Sequence, residues 1–280
     1  MRVFVVLFLT LSIFVESANG RSVIPKLEIA ERADDALTAD EFYSLVNNIS
    51  LDEREEIIYD QVISGNIPAA LRNPVTITER LIDNNGAVHE VTFEVLPDYL
   101  SIGSDTNFIR IPMLPETAQR IADKLGATLP TRKISDLIHQ NAIVKLTPEP
   151  MTPDSTMVTV PVFYNHNQLI NIQLLSKGYF LGVLVAGNKK DIVITNRLSE
   201  NPQRLFIYGW HYADGRAIQP LSNAHGKQYV DYSHGVRFVN RNILVDGKII
   251  DINDILSDPV LYTLLSDECG IMEICSYSYR

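Results

Sequence analysis

Cysteine is nearly absent. The two present, Cys269 and Cys275, enclose five residues in the tail, which excludes a disulfide-built miniature fold, a four-cysteine zinc site and a Cys-x-x-Cys redox pair. Positive charge is scarce as well: 24 Lys and Arg face 34 Asp and Glu, for a net charge of -10. Phosphate binding is driven by Lys and Arg displacing counterions, so no nucleic acid partner is expected, and Lys189-Lys190 alone makes no basic patch. Past the amino terminus no apolar run approaches the ~20 residues that a membrane-spanning helix needs, so no stable membrane anchor is expected. Repeats, low-complexity tracts and a Gly-x-x-x-x-Gly-Lys phosphate loop are missing too, which leaves solenoid, fibrous and nucleotide-hydrolysing readings without support.

What the chain does have begins at its first residues. Arg2 precedes an apolar run from Val3 to Val15 interrupted only by Thr10 and Ser12, and Ala18 and Gly20 follow in an Ala-x-Gly pattern, the arrangement of a cleavable secretory signal. Residues 1–20 therefore read as a signal peptide, and the chain from Arg21 as secreted, extracellular or, from a Gram-negative source, periplasmic. A hydrophobic content of 46% is enough for a packed core and rules out general disorder. In an oxidising compartment Cys269 and Cys275 are expected to pair and pin the tail. Asn48-Ile49-Ser50 is an N-glycosylation acceptor in a eukaryotic source.

Local signals divide the chain into an early helical and a late strand-rich part. Thr38-Ala39-Asp40-Glu41 and Ser50-Leu51-Asp52-Glu53 both fit the capping box and predict helices over 39–48 and 51–64. Alternation in 75–78 and 89–95 around Asn84-Asn85-Gly86 predicts a β-hairpin. A strand from Phe108 to Met113 and helices over 116–125 and 131–141 come next. Thr147 to Pro161 has the most linker-like composition, so the expected division is 21–146 as an N-terminal α+β subdomain and 147–280 as a sheet-rich C-terminal one, or one continuous domain. Beyond it the pattern predicts a helix over 163–176, strands over 180–186, 191–195, 204–212, 229–239 and 243–250, and a last helix over 252–265. The expected class is α+β, with helices mainly early and a mixed or antiparallel sheet mainly late.

Chemistry concentrates in the late part, where His211, His225 and His234 fall close together with Asp231 and Ser233 among them. These are the residue types of a general base, its orienting carboxylate and a nucleophile. Imidazoles with one carboxylate are equally the usual ligands of catalytic zinc, which makes zinc the candidate cofactor. In a regular strand Asp231, Ser233 and Arg237 would face one way, and Val230, Tyr232, His234, Val236 and Phe238 the other. A bulge at Gly235 could turn His234 toward the site. His139, within the apolar pattern of Ile134, Leu137, Ile138 and Ala142, reads as a core histidine. Ala186 to Asp191 reads first as a solvated hairpin turn, although its Gly turn followed by Lys189-Lys190-Asp191 could present an amine to a carboxylate or oxyanion, and Asp98 and Asp105 read as turn residues that could supply acid or base.

Three resemblances attach to these segments. Ser233-His234-Gly235-Val236-Arg237, downstream of Trp210-His211, resembles the Ser-His-Gly-Cys-x-Arg signature of L,D-transpeptidases, with the nucleophilic cysteine missing. His225-x5-Asp231 with Trp210-His211 is similar to the zinc-ligand set of D-alanyl-D-alanine carboxypeptidases, in reversed order. Over most of its length the chain resembles a family of exported bacterial proteins without an assigned activity, through segments such as Pro97 to Asp105, Leu129 to Lys133 and Tyr208 to His211. That resemblance implies export and a compact fold. The expectation is a secreted hydrolase acting on a peptide, amide or cell-wall-type bond of an extracellular substrate, with His211, His225, Asp231, Ser233 and His234 as its site. The competing expectation is a non-enzymatic secreted binding protein whose histidines are structural.

Overall fold

The computed structural model describes residues 22–279, and the expected signal peptide, residues 1–20, lies outside them. Both capping boxes form: Thr38 and Ser50 accept from the amides of Glu41 and Glu53, whose carboxylates accept from the cap amides in return, opening helices Ala39–Val46 and Leu51–Ile63. The acceptor Asn48 sits exposed in the turn between them. Strands Val75–Ile82 and Val88–Val95 make the expected hairpin, with Asp83 Oδ1 accepting from the amides of Asn85 and Ala87 across its turn.

Val88–Val95 is the central strand of a six-stranded sheet. One edge is filled by Val75–Ile82; the other pairs Asn242–Val245 and, further along, Val239–Asn240, all antiparallel. Lys248–Asp251 and Ala127–Thr128 complete the sheet. Strands from both sides of residue 147 thus share one sheet, and a single hydrophobic cluster runs from Ala39 to Tyr277. Thr147 to Pro161 wraps the surface, where the Met151 amide donates to the Tyr232 hydroxyl at 2.7 Å and the Met157 carbonyl accepts from the Tyr232 amide at 3.1 Å. Helices Pro115–Leu125, Arg132–Asn141 and Val160–Ser176 bury their apolar faces in the core. The class is α+β.

A four-stranded sheet carries the candidate residues, in the order Ala217–Ser222, Ile207–His211, Lys190–Ile192, His234–Gly235. Its last pairing is parallel, with His234 opposite Lys190.

Three expectations are corrected here. Residues 229–239 do not form one strand, because the Asp231 side chain captures the Ser233 amide at 2.8 Å and makes a turn, leaving only His234–Gly235 and Val239–Asn240 paired. Residues 243–250 form a hairpin rather than a single strand, because Asp246 and Gly247 take positive φ of 51° and 80°, the conformation of a two-residue hairpin turn. The last helix is broken into Ile252–Ser257 and Tyr262–Leu265 by Asp258-Pro259, since the residue before a proline is pushed out of helical geometry. Cys269 and Cys275 are unpaired, with Cys269 exposed and Cys275 half-buried.

Candidate functional site

The turn at Asp231 assembles the site. Oδ1 accepts from both the amide and the hydroxyl of Ser233, at 2.8 and 2.6 Å, and Oδ2 accepts from the Tyr229 hydroxyl at 3.2 Å. Short polar side chains that bond the backbone two residues on are the usual way a chain leaves extended geometry. The turn brings His234 back over its own start, placing Nε2 at 3.7 Å from Asp231 Oδ2. Asp231 and His234 therefore face each other, and no bulge at Gly235 is needed.

The two groups carry opposite electrostatic pressures. Burial pushes the His234 imidazole down to about 4, so it is neutral at neutral pH. Its Nδ1 accepts from the Asp231 amide at 3.4 Å, which puts the ring proton on Nε2. Burial opposes the charge on Asp231, yet the His234 ring, the Ser233 donors and the Lys190 ammonium hold its carboxyl below the usual carboxylate range. The His234 Nε2 has no hydrogen-bond partner.

Half-buried residues form the rim. The His225 ring stacks on Tyr229 at 4.0 Å between centroids and lies 6.3 Å from the His234 ring. Burial lowers the pKa of His225, keeping it a neutral base in neutral solution, and pushes the Tyr229 hydroxyl up to about 12. The Lys190 ammonium sits 5.1 Å from the centre of the Trp210 ring, a cation–π contact. Trp210 itself is held at a positive φ of 52° with its indole N–H unpartnered. A bulky residue in that conformation stores strain that the surrounding structure must impose, and such strain clusters at functional sites.

His211 stands apart from this cluster. It is buried, its Nε2 bonds Asp136 at 2.9 Å, and its ring stacks 4.6 Å from that of His139. The neighbouring Trp210 faces His166, Tyr232 and Lys190 instead, so the two residues serve different surroundings. Four of the five expected residues, His225, Asp231, Ser233 and His234, are brought together, and His211 is not. His139 is buried against His211, as its helical position foretold, and burial pushes it down to about 4.

Sequence reasoning missed Trp210 and Tyr229, and it raised Lys189 and Lys190 as amines for a carboxylate or oxyanion but preferred to read their segment as a solvated turn. The segment Asn188 to Asp191 is no solvated turn: Lys189 is 1% exposed and its ammonium donates to the Tyr232 carbonyl at 2.6 Å, 3.5 Å from His166 Nδ1. Burial drops that lysine to about 7. Asp98 is fully buried, accepting from Arg110 Nε and Nη2 at 2.8 and 2.7 Å and from Asn188 Nδ2 at 3.1 Å. With its oxygens committed to that pair it is not an available acid or base. Asp105, by contrast, is exposed and accepts from the Ala70 amide. What the sequence withheld was the burial of the basic pair, since Lys189 is 1% exposed in a stretch the fold encloses.

Among the described residues no three His, Cys, Asp or Glu side chains converge as metal ligands, so the donor geometry lends zinc no support. A cavity of about 460 Å³ adjoins the loop of the site, lined by Lys227 and Gln228 together with Asp52, Glu55, Glu116 and Arg120, and no histidine borders it. Comparison with family models, curated proteins and solved structures found no match. The resemblances noted above thus rest on their residues alone, and function is read from the arrangement itself.

Proposed function

We propose that the chain is an exported hydrolase of a peptide, amide or cell-wall-type bond, working through His225, Asp231, His234 and Lys190. The observation that carries this reading is Asp231, a carboxylate 2% exposed, held by Ser233 and Tyr229 and ringed by imidazoles and an ammonium. A buried charge without a guanidinium partner is costly to maintain, and such groups concentrate at functional sites. Neutral His225 takes a proton from water as its oxygen attacks the carbonyl carbon, and Lys190 stabilises the resulting oxyanion. His225 then returns the proton to the leaving amine as the carbon–nitrogen bond breaks. Ser233 suits orientation better than attack, because its hydroxyl proton is committed to Asp231 and it is 1% exposed.

One observation favours a second reading, a secreted binding protein with structural histidines: the 460 Å³ cavity is bordered by none of them. A panel of peptide, amide and cell-wall fragment substrates, followed by mass spectrometry, separates the two. The wild-type chain should turn over at least one member, and His225→Ala should be slower by about a hundredfold or more while melting at nearly the same temperature. No turnover by the wild-type chain above that of His225→Ala on any substrate would overturn the hydrolase.

A further inference from the structure

Helix Val160–Ser176 carries no Asp, Glu, Lys or Arg along its 17 residues, although a stretch of that length in a chain 21% charged would hold about three or four. Its inner side is filled, with Phe163, Ile170 and Leu174 buried. Its outer side is apolar too. Leu169, Ile172 and Leu175 recur every three residues, a spacing that makes neighbours on a helix surface. The helix stops at Gly178, with φ of 77°, where the Tyr179 amide donates to the Leu174 carbonyl at 3.1 Å and holds Tyr179 and Phe180 at the helix end. These five outer residues are between 37% and 72% exposed. A helix apolar on every side belongs to an interior, so one side of this helix lacks its covering layer.

Area, charge and hydrogen bonding together say what covers it. At roughly 200 Å² for a whole side chain, the exposed fractions leave roughly 500 Å² bare, in the upper part of the ~300–600 Å² of a monomer's largest patch. Counted on two copies, that surface reaches the ~1,000 Å² that a specific interface needs. Around a two-fold axis the same patch faces itself, so a charge near the axis would meet its like, and this helix has none. The polar groups exposed beside the stripe, Asn165, Gln168 and Ser176, each both donate and accept. They can therefore pair with their own kind, as a carboxylate or an ammonium cannot. A membrane surface fits less well, because helices that lie on one carry Lys and Arg beside the apolar stripe, and the chain's net charge is -10. We infer that the outer face of helix Val160–Ser176 packs against the same face of a second copy of this chain, with Ile172, the middle of the stripe, nearest the two-fold axis. The dimer stands independently of the hydrolase reading.

Sedimentation equilibrium tests it, on the chain with and without residues 1–20. Both forms should show a concentration-dependent dimer with a dissociation constant of about 1–100 µM, weak because the interface is small, and little changed by salt because no charges meet. Ile172→Lys and Ile172→Glu, on a residue 63% exposed, should each melt like the wild type yet weaken the dimer about a hundredfold or more, since like charges are brought face to face. Mixed one to one, the two variants should dimerise again, the facing charges now being opposite. Ile82→Lys, on a residue 59% exposed in the β-hairpin, should leave the dimer intact. A chain still monomeric at about 1 mM, a dimer that survives Ile172→Lys, a dimer found only when residues 1–20 are present, or a mixture that stays monomeric overturns the inference. So does a monomer that sediments with phosphatidylcholine vesicles unless Ile172 is replaced by Lys.

Discussion

Replacing Gly235 with alanine tests how the site strand is seated. A Cβ there would lie 2.4 Å from Tyr99 Cδ1 and 2.6 Å from Cε1, against the 3.5–4.0 Å of ordinary carbon contact, so the ring must retreat by about 1 Å. Tyr99 has nowhere to go: it is 3% exposed, its hydroxyl donates to the Lys189 carbonyl at 3.1 Å, and the Arg237 guanidinium lies 4.3 Å from its ring centre. Overpacking a core by a methyl group costs about 1–3 kcal/mol, and leaving a buried hydroxyl unpartnered about 1–3 more. Gly235→Ala should therefore lose about 4 kcal/mol and melt roughly 8–16 °C early. Tyr99→Ala alone should cost about 3–5 kcal/mol through the cavity it leaves. If the clash is the cause, the double variant should be no less stable than Tyr99→Ala, a coupling of about 4 kcal/mol, above the roughly 0.5–3 kcal/mol usual for residues in contact. Strict additivity, or Gly235→Ala melting like the wild type, would refute the seating of this strand on Tyr99.

The other predictions concern charge and placement. His211→Ala should lose about 1–3 kcal/mol with its Asp136 bond and keep the wild-type rate per folded molecule; rate loss without destabilisation would return His211 to the site. The rate should show an acid limb below pH 6.5, since burial lowers His225 from that value, and an alkaline limb below pH 10.5, since burial lowers Lys190; a profile flat across both regions would remove them from the mechanism. His89 bonds Asp246 at 2.7 Å and Asp83 at 3.2 Å, which raises its pKa above 6.5. Its contribution is present in full below pH 6.5 and fades as pH rises through the higher folded value, so wild type should out-melt His89→Gln in acid by about 1 kcal/mol or less, the gap closing in alkali. Secreted material should begin near Arg21 by mass spectrometry, and an intact Met1 would remove export.

Elements whose cause is local were legible. The Thr38 and Ser50 capping boxes and the Asn84-Asn85-Gly86 hairpin are written in neighbouring residues, and the structure contains them. The errors arose where one side chain overrides a pattern, as Asp231 does by bonding Ser233 in a stretch that alternates like a strand. At the site, nearness in sequence pointed to His225, Asp231, Ser233 and His234. It misled at His211, whose partners Asp136 and His139 come from helix Arg132–Asn141. Lys190 could be suspected but not placed, because it joins the cluster through a parallel pairing with His234, and nothing in either segment specifies such a register.

The central strand Val88–Val95 also constrains how the chain comes into being. It waits for its second edge until Val245 is available, about 150 residues later, and a chain emerges amino end first, at roughly 5–20 residues per second. The hairpin can close early, but its free edge stays exposed through that interval, a template for pairing with other chains. Under the proposed export such a delay would be useful, because the sheet cannot close around a partly delivered chain. The same delay makes truncations that remove Val239–Val245 prone to aggregate rather than merely less stable.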